Sequence, residues 1–304
     1  MNTHLPTIKQ LRYLLAIEKY QHFGRAAESC HVSQSAFSSG IQELEAILDV
    51  QLVDRTNRQV TITHIGGEIA DQARLCLRDV EFLVEIARGG QVPLAGPLRL
   101  GVIPTIAPFL LPTVLPPLRA AYPDLKLFLH EEMTHVLQSR LMDGSIDLAL
   151  LALPFELRNV EVISLFEDPF RLAAREGTTL VDPEHFRFNR LTAEVVLMLE
   201  NGHCMRDHAL DACRIRNTEK VSRFAATSLL TLIEMVDADL GVTFLPEMAE
   251  GSAMLNGTQV RTWPLQNEGY REIALAWRKG SARGDEFREL GEFIKANRSM
   301  ASAA

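Results

Sequence analysis

At 304 residues the chain has room for two domains, three at most, at roughly 100–200 residues per domain. Its composition, 47% hydrophobic and 23% charged, is that of a folded globular protein and excludes a disordered or low-complexity chain. The 31 Lys and Arg against 39 Asp and Glu leave a formal net charge of −8, which disfavours polyanion binding through the field of the whole surface but not through one small module. Residues 1–6 carry no basic stretch followed by an apolar one, and the longest apolar run, residues 146–155, is interrupted by Asp147 and Pro154. Neither an export signal nor a membrane span is expected, so the predicted location is cytoplasmic with no membrane partner. Four cysteines, Cys30, Cys76, Cys204 and Cys213, are too few for a disulfide scaffold in a chain of this length.

From the N-terminus, three helices are predicted. The first covers residues 8–20, with Leu11, Leu14, Leu15 and Ile17 at helical spacing. The second covers residues 23–30, where Ala26 and Ala27 permit close packing. The third opens at Val32-Ser33-Gln34-Ser35, with Ser33 as N-cap, and continues through Ile41, Leu44 and Leu48. Two short helices around a tight turn form a helix-turn-helix pattern, whose second helix enters a major groove with its first residues on base edges. Gln34 is suited to adenine, and Ser35, Ser38 and Ser39 to bases or phosphates. Val60 and Ile62 around Arg55-Thr56-Asn57-Arg58 predict a wing hairpin that brings Arg55 and Arg58 near phosphate or the minor groove. Charge favours a plainer reading, a small helical bundle with a solvated polar face. Lys9, Arg12, Lys19, Arg25, Arg55 and Arg58 are matched one for one by Glu18, Glu28, Glu43, Glu45, Asp49 and Asp54.

Over residues 66–88 a long helix is predicted, with Ile65, Ile69, Ala73, Leu77, Val80, Val84 and Ala87 forming one stripe. Such a stripe packs either on its own domain or on a second chain, and a lone helix favours the second. Gly89, Gly90, Pro93, Gly96 and Pro97 then mark a hinge. Beyond it strands (98–102, 126–130, 147–153, 194–199, 242–245, 273–277) alternate with helices (109–121, 136–142, 229–236, 286–296), the pattern of an α/β domain with a largely parallel sheet. The predicted organisation is a winged helix-turn-helix over 1–64, a linker or dimerisation helix and hinge over 65–92, and an α/β effector domain over 93–304.

The segment Glu200-Asn201-Gly202-His203-Cys204-Met205-Arg206-Asp207 follows a strand, placing Cys204 at a strand-to-helix turn where open α/β folds bind ligands. A thiol at a helix N-terminus beside His203 and Arg206 is expected to have a lowered pKa and to react as thiolate, a peroxide O–O bond being one target. Cys213 lies among Ala209, Leu210, Ala212 and Ile215 and reads as a buried thiol. If the intervening segment is helical, the two Cα atoms stand about 13.5 Å apart on opposite faces, against roughly 4.4–6.8 Å for a disulfide. Bonding them requires the helix to unwind or shift. Three other readings stay open: two core thiols, a metal site with Cys204, His208, Cys213 and His203 at no standard spacing, or a catalytic thiol. Cys30 and Cys76 read as packing thiols.

The run Ala26-Ala27-Glu28-Ser29-Cys30-His31-Val32-Ser33-Gln34-Ser35-Ala36-Phe37-Ser38, with Ile41-Gln42-Glu43-Leu44-Glu45, Leu52-Val53-Asp54-Arg55 and Gly241-Val242-Thr243-Phe244-Leu245-Pro246, resembles the LysR-type transcriptional regulators along the whole chain. Gly40 departs from the pattern and costs up to about 1 kcal/mol of helix propensity, so affinity is expected to lean on the wing and on oligomerisation. The cysteine segment, with Ile103-Pro104-Thr105, Leu129-His130-Glu131 and Thr134-His135, is similar to the hydrogen-peroxide-sensing members of that family. The resemblance implies an effector domain of two α/β subdomains like periplasmic binding proteins, with no metal, no cofactor and no enzymatic role. It implies that Cys204 is the peroxidatic residue and Cys213 the resolving one. Thr105, His203, Arg206, Asp207, Thr134 and Arg278 would position peroxide, Arg278 on the weaker run Trp277-Arg278-Lys279-Gly280-Ser281. Implied partners are a double-stranded DNA operator, hydrogen peroxide, a second chain as dimer or tetramer, and RNA polymerase, for an activator of oxidative-stress genes. The alternative is a regulator of the same family answering a small organic effector held between the subdomains.

Overall fold

The structure, a computed structural model, describes residues 5–55, 60–87, 93–188, 191, 194–213, 215, 221–265 and 269–298. The chain divides into two compact units, one built mainly from Met1–Val92 and the other from Pro93–Leu141 with Ile146–Ala304.

In the first unit α1 (Ile8–Tyr20), α2 (Phe23–Ser29) and α3 (Gln34–Leu48) precede an antiparallel hairpin of β1 (Val53–Arg55) and β2 (Val60–Ile62), and then α4 (His64–Ala87). Each of the first three helices starts where a side chain can take up an orphan amide. Thr7 and Gln10 form a reciprocal capping box on α1, His22 Nδ1 accepts the Gly24 and Arg25 amides on α2, and Ser33 Oγ accepts the Ala36 amide on α3. Leu14, Ile17, Ala27, Phe37, Ile41 and Leu44 close a dry core between them. Gly40 belongs to that core rather than weakening the helix idly: a Cβ there would lie 2.8 Å from two ring carbons of Tyr13. The Tyr13 ring is itself packed on Phe37 with centroids 4.6 Å apart.

Helix α4 divides its apolar stripe. Ala70 and Ala73 are buried, Ala70 in the three-helix core, whereas Val80, Leu83 and Val84 stay exposed, Leu83 at 64%. Cys30 caps the end of α2 half-buried against the core; Cys76 is exposed, so packing in the single chain does not account for it.

The second unit runs β3 (Gly96–Val102), α5 (Ala107–Ala121), β4 (Leu125–Glu131), α6 (Thr134–Met142), β5 (Leu148–Leu153) and β6 (Val160–Arg175). It continues with β7 (Val196–Leu199), α7 (Cys204–Ala212), β8 (Val221–Ala226), α8 (Leu229–Asp237), β9 (Thr243–Pro246), β10 (Val260–Pro264), β11 (Tyr270–Arg278) and α9 (Gly284–Asn297). The main sheet has the order β10-β6-β11-β5-β3-β4, with β9 also on β6, while β7 and β8 form a parallel pair. Strands β4, β3 and β5 are parallel, and β5, buried on both sides, is a continuous apolar run as that position demands. Strands β11, β6, β9 and β10 are antiparallel, so the sheet is mixed rather than largely parallel. The difference lies in β6, a 16-residue strand that sequence periodicity does not mark because Glu161, Glu167, Asp168 and Pro169 interrupt its apolar positions. Its first part pairs with β11 and its last part with β9 and β10, so this strand and β11 run through the middle of the unit. Among the described residues no helix is long and apolar enough to cross a membrane.

Gly40→Ala should gain helix propensity yet force the Tyr13 ring off Phe37. The overpacking cost of 1–3 kcal/mol exceeds that gain, for a net loss of about 1 kcal/mol. Hydrogen exchange of the α3 amides in the full chain checks it: faster exchange is expected, and slower exchange would mean that the ring has room to yield.

Candidate functional site

The centre of the site is set by strand register. Arg271, second residue of β11, lies directly opposite Asp168 of β6. Arg271 is fully buried, and its guanidinium donates to Asp168, to Thr105 and, at 3.7 Å, to the Met248 sulfur. Nε donates to Asp168 Oδ2 at 2.9 Å, Nη1 to the Thr105 hydroxyl at 2.9 Å and Nη2 to the Thr105 carbonyl at 2.8 Å. The second Asp168 oxygen accepts the Met248 amide at 3.1 Å. Burial pushes the Asp168 carboxyl above its ordinary range, with the Arg271 charge and the Met248 amide pulling the other way. Thr105, in the turn between β3 and α5, accepts from Arg271 through its oxygen and keeps its own hydroxyl proton for another partner.

Cys204 is the first residue of α7. The turn before it uses Gly202 at φ 105°, and His203 is the buried N-cap, without a side-chain cap hydrogen bond. The expected low thiol pKa is not found. Burial pushes the Cys204 thiol up, and the Thr134 hydroxyl, the Arg271 charge and its own amide only partly restore the thiolate. The physical reason is burial, and helix phase keeps Arg206 from offsetting it. Arg206 stands about 200° around α7 from Cys204, and its Nη1 turns to the Leu199 carbonyl at 3.3 Å. There it lines a surface groove of about 460 Å³ with Glu200, Asn201 and Ser222. Asp207 is exposed, and its charge opposes the thiolate. The cation that favours a Cys204 thiolate is therefore Arg271, not Arg206.

Thr134, first residue of α6, is buried; its hydroxyl has no hydrogen bond of ordinary geometry, and its nearness to Cys204 favours the thiolate. Arg278 is not brought to this centre. It occupies the other end of β11, seven residues and about 23 Å of strand from Arg271. Sequence reasoning missed Arg271 and Asp168. The available signal was an arginine at the head of a strand whose next apolar run, Ile273, Ala274, Leu275, Ala276 and Trp277, is fully buried.

Cys213 caps the C-terminal end of α7, its amide bonded to the Ala209 carbonyl at 3.0 Å. It packs half-buried against the core that holds Met205 and Ala209, and burial pushes its thiol up to about 12. The segment from Cys204 to Ala212 is helical, so the about 13.5 Å separation and the opposite faces both hold. His208, one turn from Cys204, is buried, and its Nε2 meets the Pro154 carbonyl at 2.8 Å. Among the described residues no group of three or more His, Cys, Asp or Glu could hold a metal ion.

On α3, Gln34, Ser35 and Ser39 are exposed and Ser38 is half-buried, while Ser33 uses its hydroxyl for capping and for a 3.1 Å contact with Ser35. Arg55 ends β1, its side chain not described, and Arg58 lies outside the described residues.

A family model for the bacterial regulatory helix-turn-helix proteins of the lysR family matches residues 8–67, and one for the LysR substrate binding domain matches residues 91–299. The DNA-binding transcriptional dual regulator OxyR of Escherichia coli is 39% identical over 289 residues, 95% of each chain. The HTH-type transcriptional regulator EstR of Acinetobacter baylyi is 36% identical over 299 residues, 96% of this chain and 97% of its own. Among solved structures, a full-length OxyR variant from Pseudomonas aeruginosa is similar with a TM-score of 0.77 at 32% identity, covering 96% of this chain and 95% of that one. A hydrogen-peroxide-bound OxyR variant from Corynebacterium glutamicum has a TM-score of 0.66 at 31% identity, covering 99% and 95%.

Arg271→Met should leave the Asp168 carboxylate buried without its counter-charge and cost the second unit about 3–5 kcal/mol. Urea unfolding of the full chain measures this; a loss below about 1 kcal/mol would mean that Asp168 is neutral or reaches water.

Proposed function

The chain belongs to the LysR family of bacterial helix-turn-helix regulators, and from that premise we propose that it controls transcription in response to hydrogen peroxide through Cys204 and Cys213. The observation that carries this reading is α7 itself. One thiol heads the helix within the field of Arg271 and beside Thr134, and a second caps its tail.

The chemistry balances without a cofactor. The Cys204 sulfur attacks one peroxide oxygen, the S–O bond forms as the O–O bond breaks, and hydroxide leaves with the electron pair and becomes water. Cys213 then attacks the sulfenic sulfur and releases a second water, so two thiols and one peroxide give one disulfide and two waters. Thr105, with its spare proton, and Thr134 are assigned to hold the peroxide oxygens, and Arg271 favours the anionic sulfur. Burial of the thiol keeps it from casual electrophiles and reserves reactivity for a small oxidant that can enter beside Arg271. His203, the buried N-cap next to Cys204, is assigned to the site; Arg206 and Asp207, turned outward, are assigned to the surface of α7. The chemistry stops after one event until the disulfide is reduced, so the chain is a switch rather than an enzyme.

On DNA, Gln34, Ser35, Ser38 and Ser39 of α3 read the operator, and Arg55 and Arg58 of the wing hold phosphate. Val80, Leu83 and Val84, exposed on α4, provide the seam for a second chain, with a tetramer and contact to RNA polymerase following for an activator. The place of action is the cytoplasm, where DNA and reduced thiols coexist.

The second reading is a small organic effector. It is favoured by the likeness to EstR, whose name says nothing of peroxide. Mass-spectrometric peptide mapping after one equivalent of hydrogen peroxide separates the two. A linked Cys204–Cys213 peptide is expected, and Cys204→Ser should abolish the peroxide-dependent change in DNA footprint while leaving DNA binding intact. Oxidised but unlinked thiols would sink the disulfide switch, and a metabolite response that survives in Cys204→Ser would favour the second reading.

A further inference from the structure

His208 has no part in the scheme above, yet it is the one buried imidazole on the same helix as Cys204, one turn on, among the described residues. It is 5% exposed. Its Nε2 sits 2.8 Å from the Pro154 carbonyl, and a carbonyl can only accept, so Nε2 carries the proton. The neutral ring is thereby fixed in one tautomer, with a bare lone pair on Nδ1. That Nδ1 is buried with no hydrogen-bond partner. An unused acceptor at such depth is costly and calls for an explanation.

Three relations tie this lone pair to the reacting sulfur. Residues four apart on a helix stand about 5–6 Å apart at Cβ, and helical side chains lean toward the N-terminus, so His208 leans toward Cys204. Arg271 acts on both groups, favouring the Cys204 thiolate and disfavouring an imidazolium at His208. The other charges felt by His208 are Asp207 and Asp211 of its own helix, which favour the imidazolium, yet burial dominates and keeps the ring neutral. A neutral ring with a fixed lone pair, one helical turn from a thiol whose pKa is raised, is the arrangement that a proton transfer needs.

We infer that His208 is the proton relay of the Cys204 site: Nδ1 takes the thiol proton as the sulfur attacks, and returns it to the departing hydroxide. The electrons move as described above: S–O forms, O–O breaks, and the relayed proton completes the first water. The Pro154 carbonyl positions the ring by holding Nε2. Because the ring resists protonation, it does not retain the proton, and the imidazolium exists only while hydroxide is leaving. This inference rests on the peroxide reading of Cys204.

The test is the rate constant of Cys204 oxidation by hydrogen peroxide, followed by stopped flow in the full chain from pH 5 to 8. His208→Gln keeps an amide donor for the Pro154 carbonyl but removes the base. Its rate is expected to fall about a hundredfold, and the acidic limb of the wild-type pH profile should vanish with it. A rate within about threefold of wild type with an unchanged profile overturns the relay and leaves the peroxide reading standing. A wild-type chain that does not react overturns both. Should His208→Gln fail to melt cooperatively, nitrogen-15 NMR of the wild-type histidines decides. An unprotonated Nδ1 with a protonated Nε2 at neutral pH supports the relay, and a protonated Nδ1 overturns it.

Discussion

A guanidinium sealed from water holds the second unit in register. Arg271 cannot give up its charge, so its donors must find acceptors inside the protein, and these come from three places in the chain: Asp168 on β6, both oxygens of Thr105, and the Met248 sulfur, whose own amide steadies Asp168. Buried pairs of this kind add little net stability compared with an apolar replacement, but they are intolerant of half-measures. What the pair provides is position. It locks the register of the two strands that run through the unit and leaves a fixed positive charge that acts on Cys204 at the head of α7.

That charge makes the cysteine chemistry intelligible. Burial would leave Cys204 an inert core thiol; Arg271 and Thr134 offset part of the penalty without abolishing it. The result is a sulfur that is quiet at rest and able to ionise when a small oxidant sits against the same cation. Cys213, with nothing to offset its burial, is quieter still. Its role depends on distance. Held at the opposite end and face of an intact α7, it cannot reach Cys204, so the proposed disulfide requires that helix to unwind or shift. In the proposed switch, chemistry and the rearrangement of α7 are therefore one step.

Much of this was legible in the residues. The helix-turn-helix, the long fourth helix and most strands of the second unit follow from periodicity and capping, because those signals are local. The strand β6 was not legible, since charged residues and a proline interrupt its pattern, and with it went Asp168. The partnership of Arg271 and Asp168 exists only as strand register, about 100 residues apart in sequence, and no local pattern encodes it. The choice of Arg278 and Arg206 shows the same limit from the other side. Both stand close in sequence to motif residues, but strand length removes one and helix phase turns the other outward. Gly40 carries a further lesson: unfavourable by propensity, it is explained once Tyr13 is seen lying against it.

Hydrogen exchange of the α7 backbone, compared between the reduced chain and the chain oxidised by one equivalent of hydrogen peroxide, measures the central claim directly. The amides of residues 206–212 should be protected in the reduced chain and lose that protection in step with disulfide formation. A Cys204–Cys213 disulfide formed while those amides remain protected would contradict the account.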